Sequence, residues 1–257
     1  MIAFVINAIK IIFLLGFLVL IHEGGHFLVA KLCKVKVNEF AIGFGKILLQ
    51  KQGKETKYSL RIIPLGGFCS MEGEEEESDA PGSFSKASVW KRMLIVLAGA
   101  NVNIIFGILV YFILVSTVGI QFVDPAKDTI KNRIYYGAQG TGEFIEAIFD
   151  SIKTLFSGGI KTDQMVGIVG ISEVVVKTNG IINYLNLLAV ISVSLGVTNL
   201  LPIPALDGGK LLILFIEVIR RKPMKIETEA KIQLLGFSIL IALSLFVTYN
   251  DILRISG

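Results

Sequence analysis

Charge is scarce in this sequence, and what there is avoids long stretches of the chain. Only 18% of the 257 residues are Asp, Glu, Lys or Arg, whereas 53% are hydrophobic. A soluble globular domain carries about a quarter charged residues and disperses its apolar ones by amphipathic periodicity. The shortage of charge therefore excludes an ordinary soluble domain and points to the lipid bilayer. Cysteine is also scarce: Cys33 and Cys69 are the only two, too few for a disulfide framework. The basic residues flank hydrophobic runs and lack an interleaved aromatic platform, which argues against nucleic acid as a partner despite a net charge of +4. No internal repeat is present. The N-terminal run lacks the basic n-region and small-residue cleavage site of a signal peptide, and it leads directly into His22-Glu23. It reads as a retained helix.

The apolar residues gather in four blocks: Ile2 to about Leu32, about Met93 to Ile120, Ile181 to Ile219, and about Ile232 to Tyr249. About 20 apolar residues suffice to cross the hydrocarbon core as a helix. Block three is too long for one straight span and holds two helix breakers, Pro202 and Pro204, so it reads as a single discontinuous transmembrane helix. The expected architecture is an α-helical multi-pass membrane protein with four spans. Lys34, Lys36, Lys46, Lys51, Lys54, Lys57 and Arg61 follow span one, and Arg220, Arg221, Lys222, Lys225 and Lys231 follow span three. By the positive-inside rule both loops are cytosolic and both termini extracytoplasmic.

Three regions follow. Residues 1–120 hold spans one and two with a cytosol-side β-element over about 35–71. Residues 121–180 form an extracytoplasmic segment, and residues 181–257 hold spans three and four. Within the β-element, Val35 to Phe44 and Lys57 to Met71 are rich in β-branched and aromatic residues and punctuated by glycine. An apolar hairpin beside a membrane is either a buried sheet or a re-entrant element sheltered by protein. The acidic run Glu72 to Asp79 reads as a solvated turn in preference to a metal site. In the outer segment, Glu143 to Phe156 places Phe144, Ile145, Ile148, Ile152 and Leu155 at helical spacing, as in a helix lying on the bilayer surface.

The chemistry concentrates in His22-Glu23-Gly24-Gly25-His26, which holds the chain's only two histidines. Positions i and i+4 share a helix face, so both imidazoles can grip one metal ion, with Glu23 beside it as general base. Ionisable residues inside a hydrophobic span default to function. Catalytic zinc usually takes a third protein ligand. The candidate is Asp207, the convincing intramembrane acid elsewhere; its plain role is to cap the helix starting near Gly208, which is compatible with ligation. His26 lies about 12 Å of helix before Lys34 and Asp207 up to about 20 Å before Arg220, so the two sites share a depth. The prolines imply a polar hollow there. Asn199 either caps freed backbone groups or touches substrate. On span two, Gly99 suits close helix packing, and Asn103 either packs across helices or serves the site.

Together these pieces resemble the site-2 protease family of intramembrane metalloproteases, particularly its bacterial regulator-of-sigma-factor branch. The matching motifs, in the family's order, are His22 to His26, Val37 to Gly45, Ile63 to Phe68, Ala98 to Asn103 and Asn199 to Gly209. The resemblance implies a zinc metalloendopeptidase with His22, His26 and Asp207 as Zn2+ ligands and Glu23 as catalytic acid/base. It implies substrate-binding roles for Asn199, Asn103, Pro202, Gly66 and Gly67, and strand pairing between the hairpin near Leu60 to Met71 and an unwound substrate. Its expected partners are single-span membrane proteins, such as anti-sigma factors, cut within the bilayer nearer its cytosolic side. Two departures stand out. About sixty residues between spans two and three cannot hold the amphipathic helix and also the PDZ domain that many members carry there, so the form is PDZ-less or PDZ-deleted. Ala100, and Ile168 within Met165 to Ile171, replace common prolines. The alternative reading is a metal-binding or ion-translocating membrane protein without proteolytic activity, in which the same His/His/Asp set binds a passing ion.

Overall fold

The computed structural model describes residues 2–76, 78–157 and 167–256. Met165 and Val166 of the family-like segment lie outside them. Four helices among the described residues are long and apolar enough to cross a membrane: Phe4–Leu32, Val89–Gly119, Ile181–Asn199 and Ile226–Arg254. Block three divides as its prolines require. Helix α5 (Ile181–Asn199) stops before Pro202, and helix α6 (Asp207–Arg220) begins after Pro204. Fourteen residues of α6 extend only about 21 Å. That is short of a second crossing.

The chain divides into two compact units, the first comprising Met1–Asn103 and Leu195–Ala242, the second Ile104–Ser194 and Leu243–Gly257. In the first unit, helix α1 (Ile2–Leu32) crosses the start of helix α2 (Val89–Leu114) at closest approach where both carry glycine. A Cβ on Gly25 would stand 2.7 Å from the Ala98 carbonyl oxygen and 3.0 Å from the Gly99 Cα. Any side chain at Gly25 would push the two backbones apart. Below this crossing, Ala30, Val37, Met71, Phe84, Ile95 and Leu214 form a buried core that joins α1, the sheet, α2 and α6. Arg92 of α2 reaches the buried Glu217 of α6 at 2.6 Å, and Glu217 also accepts the Met224 N–H at 2.7 Å. A buried ion pair with extra hydrogen bonds fixes relative geometry more than it adds stability. Here it sets the helix that carries Asp207.

Strand β1 (Val37–Gln52) pairs with β2 (Lys57–Met71), antiparallel where Val37 to Ile42 meet Met71 to Gly67 and where Ile47 to Gln52 meet Arg61 to Lys57. Each strand bends, so the first part of β1 is paired on both sides: Glu39 to Ile42 match Lys57 to Leu60 and also Ser70 to Gly67. The expected first strand ended at Phe44, but β1 runs on to Gln52. Its second part is exposed and alternates poorly, yet it finds Lys57 to Arg61 as a partner. Within the sheet Glu39 accepts from Ser59 at 2.6 Å and Arg61 at 2.7 Å. Burial opposes these bonds without prevailing, and the Glu39 carboxyl is held below the usual range. The sheet's bend lies deep along α1, because a Cβ on Gly16 would sit 3.4 Å from the Pro64 carbonyl oxygen. Phe44, Ile62 and Ile63 are exposed at this bend. The apolar hairpin therefore reaches the level of the middle of a membrane-length helix.

The second unit holds helix α3 (Ile130–Phe156), helix α4 (Ile168–Lys177) and the last turns of helix α7 (Ile226–Ser256). α3 begins thirteen residues before the expected Glu143. It packs on protein: the Tyr111 and Phe144 rings stack at 4.1 Å, and Gly137 leaves room for the Ser116 hydroxyl. Arg133 donates to the Thr117 carbonyl at 2.7 Å, capping the π-turn Val115–Gly119 that ends the second hydrophobic helix. Amphipathic spacing cannot distinguish a lipid surface from a neighbouring helix as the apolar partner. The fully buried Asp251 accepts from the N–H groups of Gly167 and Gly170 at 3.0 and 2.8 Å, which anchors the N-terminus of α4.

Candidate metal centre

The helical period presents His22 and His26 from one face of α1, and both are more than nine-tenths buried. Asp207 occupies the first turn of α6, with Leu206 and not Asp207 in the capping position. Its negative charge is favourable at a helix N-terminus. The turn that delivers it is tight. A Cβ on Gly209 would meet the backbone of Ile203 and Pro204, and Ala205 adopts a left-handed φ of 75°. Gln233 of α7 accepts the Ala205 N–H, so the broken stretch is tied to the neighbouring helix. One freed backbone donor is thus received by protein, as a helix break within a membrane requires.

Three ligand atoms converge. His22 Nε2 and His26 Nε2 stand 3.3 Å apart, and Asp207 Oδ2 lies 3.2 Å from the first and 3.4 Å from the second. Zinc holds nitrogen and oxygen ligands at about 2.0–2.2 Å, and in a tetrahedral site neighbouring ligand atoms are then about 3.3 Å apart. Asp207 Oδ2 is buried with no hydrogen-bond donor directed at it. Such an orphaned carboxylate oxygen facing two imidazole nitrogens is what a cation site requires. The set is the His/His/Asp cluster found among the described residues.

The surrounding groups orient the ligands. His26 Nδ1 donates to the Ile95 carbonyl at 2.8 Å, leaving Nε2 with its lone pair toward the site. The Asn103 amide lies 3.4 Å from His22 Nδ1 and is fully buried. With its oxygen turned to the ring, which is a matter of assignment for an amide, it would accept Nδ1–H and fix the second tautomer. Gly99 lies directly under both imidazoles: a Cβ there would collide with His26 Nε2 and His22 Cε1. Packing was the plain reading of Gly99, but its neighbours are the two candidate ligands. We expect Gly99→Ala to lower zinc affinity by about 10- to 100-fold, the range for disturbed ligand orientation. Competitive zinc titration of the purified variant measures this, and unchanged affinity would remove Gly99 from the site.

A cavity of about 500 Å³ opens beside the cluster, lined by Glu23, Phe68, Cys69, Ser70, Met71 and Lys210 among others. Glu23 is backed by the sheet, since a Cβ on Gly67 would sit 3.5 Å from Glu23 Cγ and 2.7 Å from the Ala41 carbonyl oxygen. Burial, with the nearby Glu23 and Glu74 carboxylates, pushes the Cys69 thiol up to about 12. It belongs to the buried core beside the cavity. Gly66 turns at φ 129° against the Phe44 ring, Pro202 is exposed, and Asn199 is half-buried at the last residue of α5. None of these three lines the cavity beside the cluster. Sequence reasoning missed Glu74 and Lys210, which do line it and which pair at 2.5 Å. The acidic run is therefore not simply a solvated turn. Its Glu72 also accepts from Asn38 and Ser78. A cation just after Asp207-Gly-Gly, in the otherwise apolar first turns of the helix, was the available signal.

The profile of peptidase family M50 matches residues 10–243. A Clostridium acetobutylicum protein, provisionally named a zinc metalloprotease, is 31% identical over 96% of this chain and 97% of its own length. Zinc metalloprotease RasP of Bacillus licheniformis is 26% identical over 97% of this chain and 99% of its own. The regulator of sigma-W protease RasP of Bacillus subtilis is 25% identical over 98% of this chain and 99% of its own. That alignment covers 419 positions, more than the 257 residues here, so the relative carries residues without a counterpart in this chain. The family decides between hydrolysis and ion translocation in favour of hydrolysis. The chain belongs to peptidase family M50, the site-2 proteases, and is a multi-pass intramembrane zinc metalloprotease.

Proposed function

We propose that His22, His26 and Asp207 hold the zinc ion, that Glu23 is the catalytic acid/base, and that the substrate is a single-span membrane protein cut within its transmembrane segment. The observation that carries this reading is the convergence of three ligand atoms at 3.2–3.4 Å beside a cavity lined by Glu23. When bound, zinc supplies Lewis acidity toward water and the scissile carbonyl. Glu23 takes the proton from the attacking water and returns it to the leaving amine nitrogen. Ile95, Asn103 and Gly99 keep the two imidazoles aimed. The sheet receives the substrate: Gly67 to Met71 form an outer segment paired on one side only, with Val37 to Ile42, and flanking Glu23. An unwound substrate adding to this edge would present its extended backbone to the site, whereas a helical peptide bond is shielded.

The clustering of Lys and Arg after spans one and three supports cytosolic loops, extracytoplasmic termini and a site nearer the cytosolic side. The sigma-W regulation named for the Bacillus subtilis relative supports a membrane-bound regulator of a sigma factor, of anti-sigma type, as substrate. Residues 121–180 would form the extracytoplasmic segment without a full PDZ domain, and Asn199, Pro202 and Gly66 would contact substrate only away from the cavity described. The test is cleavage of a single-span reporter by the protein in proteoliposomes. Chelation should abolish cleavage and zinc should restore it, with product termini inside the transmembrane segment. Cleavage confined to sequence outside the membrane would overturn the intramembrane assignment.

A further inference from the structure

Backbone N–H groups alternate sides along a strand, so every second donor of an edge strand faces away from the sheet. At the end of β2 the Glu72 N–H turns toward β1, donating to the Lys36 carbonyl at 2.9 Å. The preceding Met71 N–H therefore faces outward, toward the cavity that Met71 lines. A neighbouring strand would use this donor, and a carboxylate already occupies it: Glu74 Oε2 accepts from Met71 N at 3.3 Å. The other oxygen, Oε1, accepts from Lys210 Nζ at 2.5 Å, with both side chains about four-fifths buried. Lys210 lies one helical turn after Asp207 and rests over the Phe84 ring at 4.9 Å. The pair thus ties the edge strand to the helix bearing the third zinc ligand. It also stands where two cavities meet. The one beside the cluster and a second of about 510 Å³, bounded by Leu206, Ile226 and Gln233, share Glu74, Glu75, Asp207 and Lys210.

We propose that Glu74, held by Lys210, is a substrate-gating residue: it occupies the outward donor of the edge strand and must be displaced for a substrate strand to pair as far as Met71. Charged side chains on a sheet edge oppose the addition of a further strand. Here the charge is directed at one N–H and is anchored from across the site. The energetic competition is between two hydrogen bonds at one donor, so it falls on substrate binding. Lys210 acts through Glu74 and is a positioning residue.

This inference rests on strand pairing along Gly67 to Met71, and the experiment separates the two. Kinetics are measured on the full chain in proteoliposomes with a synthetic single-span peptide and with versions singly N-methylated around the scissile bond. Glu74→Ala should lower KM by about 3- to 10-fold, the worth of one competing hydrogen bond. The zinc content and kcat should stay within about twofold. Lys210→Met should lower KM by less, and amide exchange at Met71 should accelerate in both variants. Two variants guard against one failing to fold. If N-methylation slows the wild type while Glu74→Ala leaves KM unchanged or raised, the gate is wrong and strand pairing stands. If no N-methyl position slows cleavage, strand pairing fails and the gate falls with it.

Discussion

Glu23→Gln is expected to keep full zinc occupancy and to lose cleavage of a reconstituted single-span substrate by about 100- to 10,000-fold, the usual contribution of a positioned acid/base. Glutamine preserves the shape that packs against Gly67, where a Cβ would lie 3.5 Å from Glu23 Cγ, so the sheet and α1 should remain in place. None of the three converging ligand atoms belongs to Glu23. The variant therefore separates holding the metal from moving the proton. The measurement is zinc stoichiometry by elemental analysis alongside turnover in proteoliposomes. Turnover retained within about tenfold would assign the proton transfers to another group.

The second large effect is at Asp207. Asp207→Asn should weaken zinc binding by at least about 100-fold, beyond the range seen when only a supporting residue is lost. Asn is nearly the same size, so the loss isolates the anionic oxygen that faces His22 Nε2 at 3.2 Å and His26 Nε2 at 3.4 Å. Removing that charge should leave the fold intact. Arg92 and Glu217 hold α6 independently, and Leu206, not Asp207, occupies the helix cap. Elemental analysis at graded free zinc, with helical content followed by circular dichroism, measures both. Full occupancy at low free zinc would mean that Asp207 is not a ligand.

Local periodicity determined much of this protein. Five residues from His22 to His26 place two candidate ligands on one helix face whatever the rest of the chain does, because the α-helical period dictates it. Uninterrupted apolar runs specified four membrane-length helices, since no water is available in lipid to satisfy an open backbone. Pro202 and Pro204 marked the break that frees Asp207 to start a new helix. Depth counting then paired Asp207 with the histidines, although 180 residues separate it from His26.

Other features required three dimensions. Gly99 looked like a packing residue, and only the crossing of α1 over α2 shows that the imidazoles occupy the space above it. Ile95 gives no sequence signal at all, because its contribution is a backbone carbonyl that any residue could supply. The extension of β1 to Gln52 depends on a partner strand, and β-pairing is decided by neighbours more than by intrinsic preference. Glu74 was one acid in a run of several, and its distinction is Lys210, 136 residues away. The sequence by itself determined which residues are candidates for the chemistry and which helices are long and apolar enough to cross the bilayer, through short-range spacing and hydrophobicity. Only the tertiary structure decided which atoms meet, because long-range contacts follow from packed surfaces that no single segment encodes.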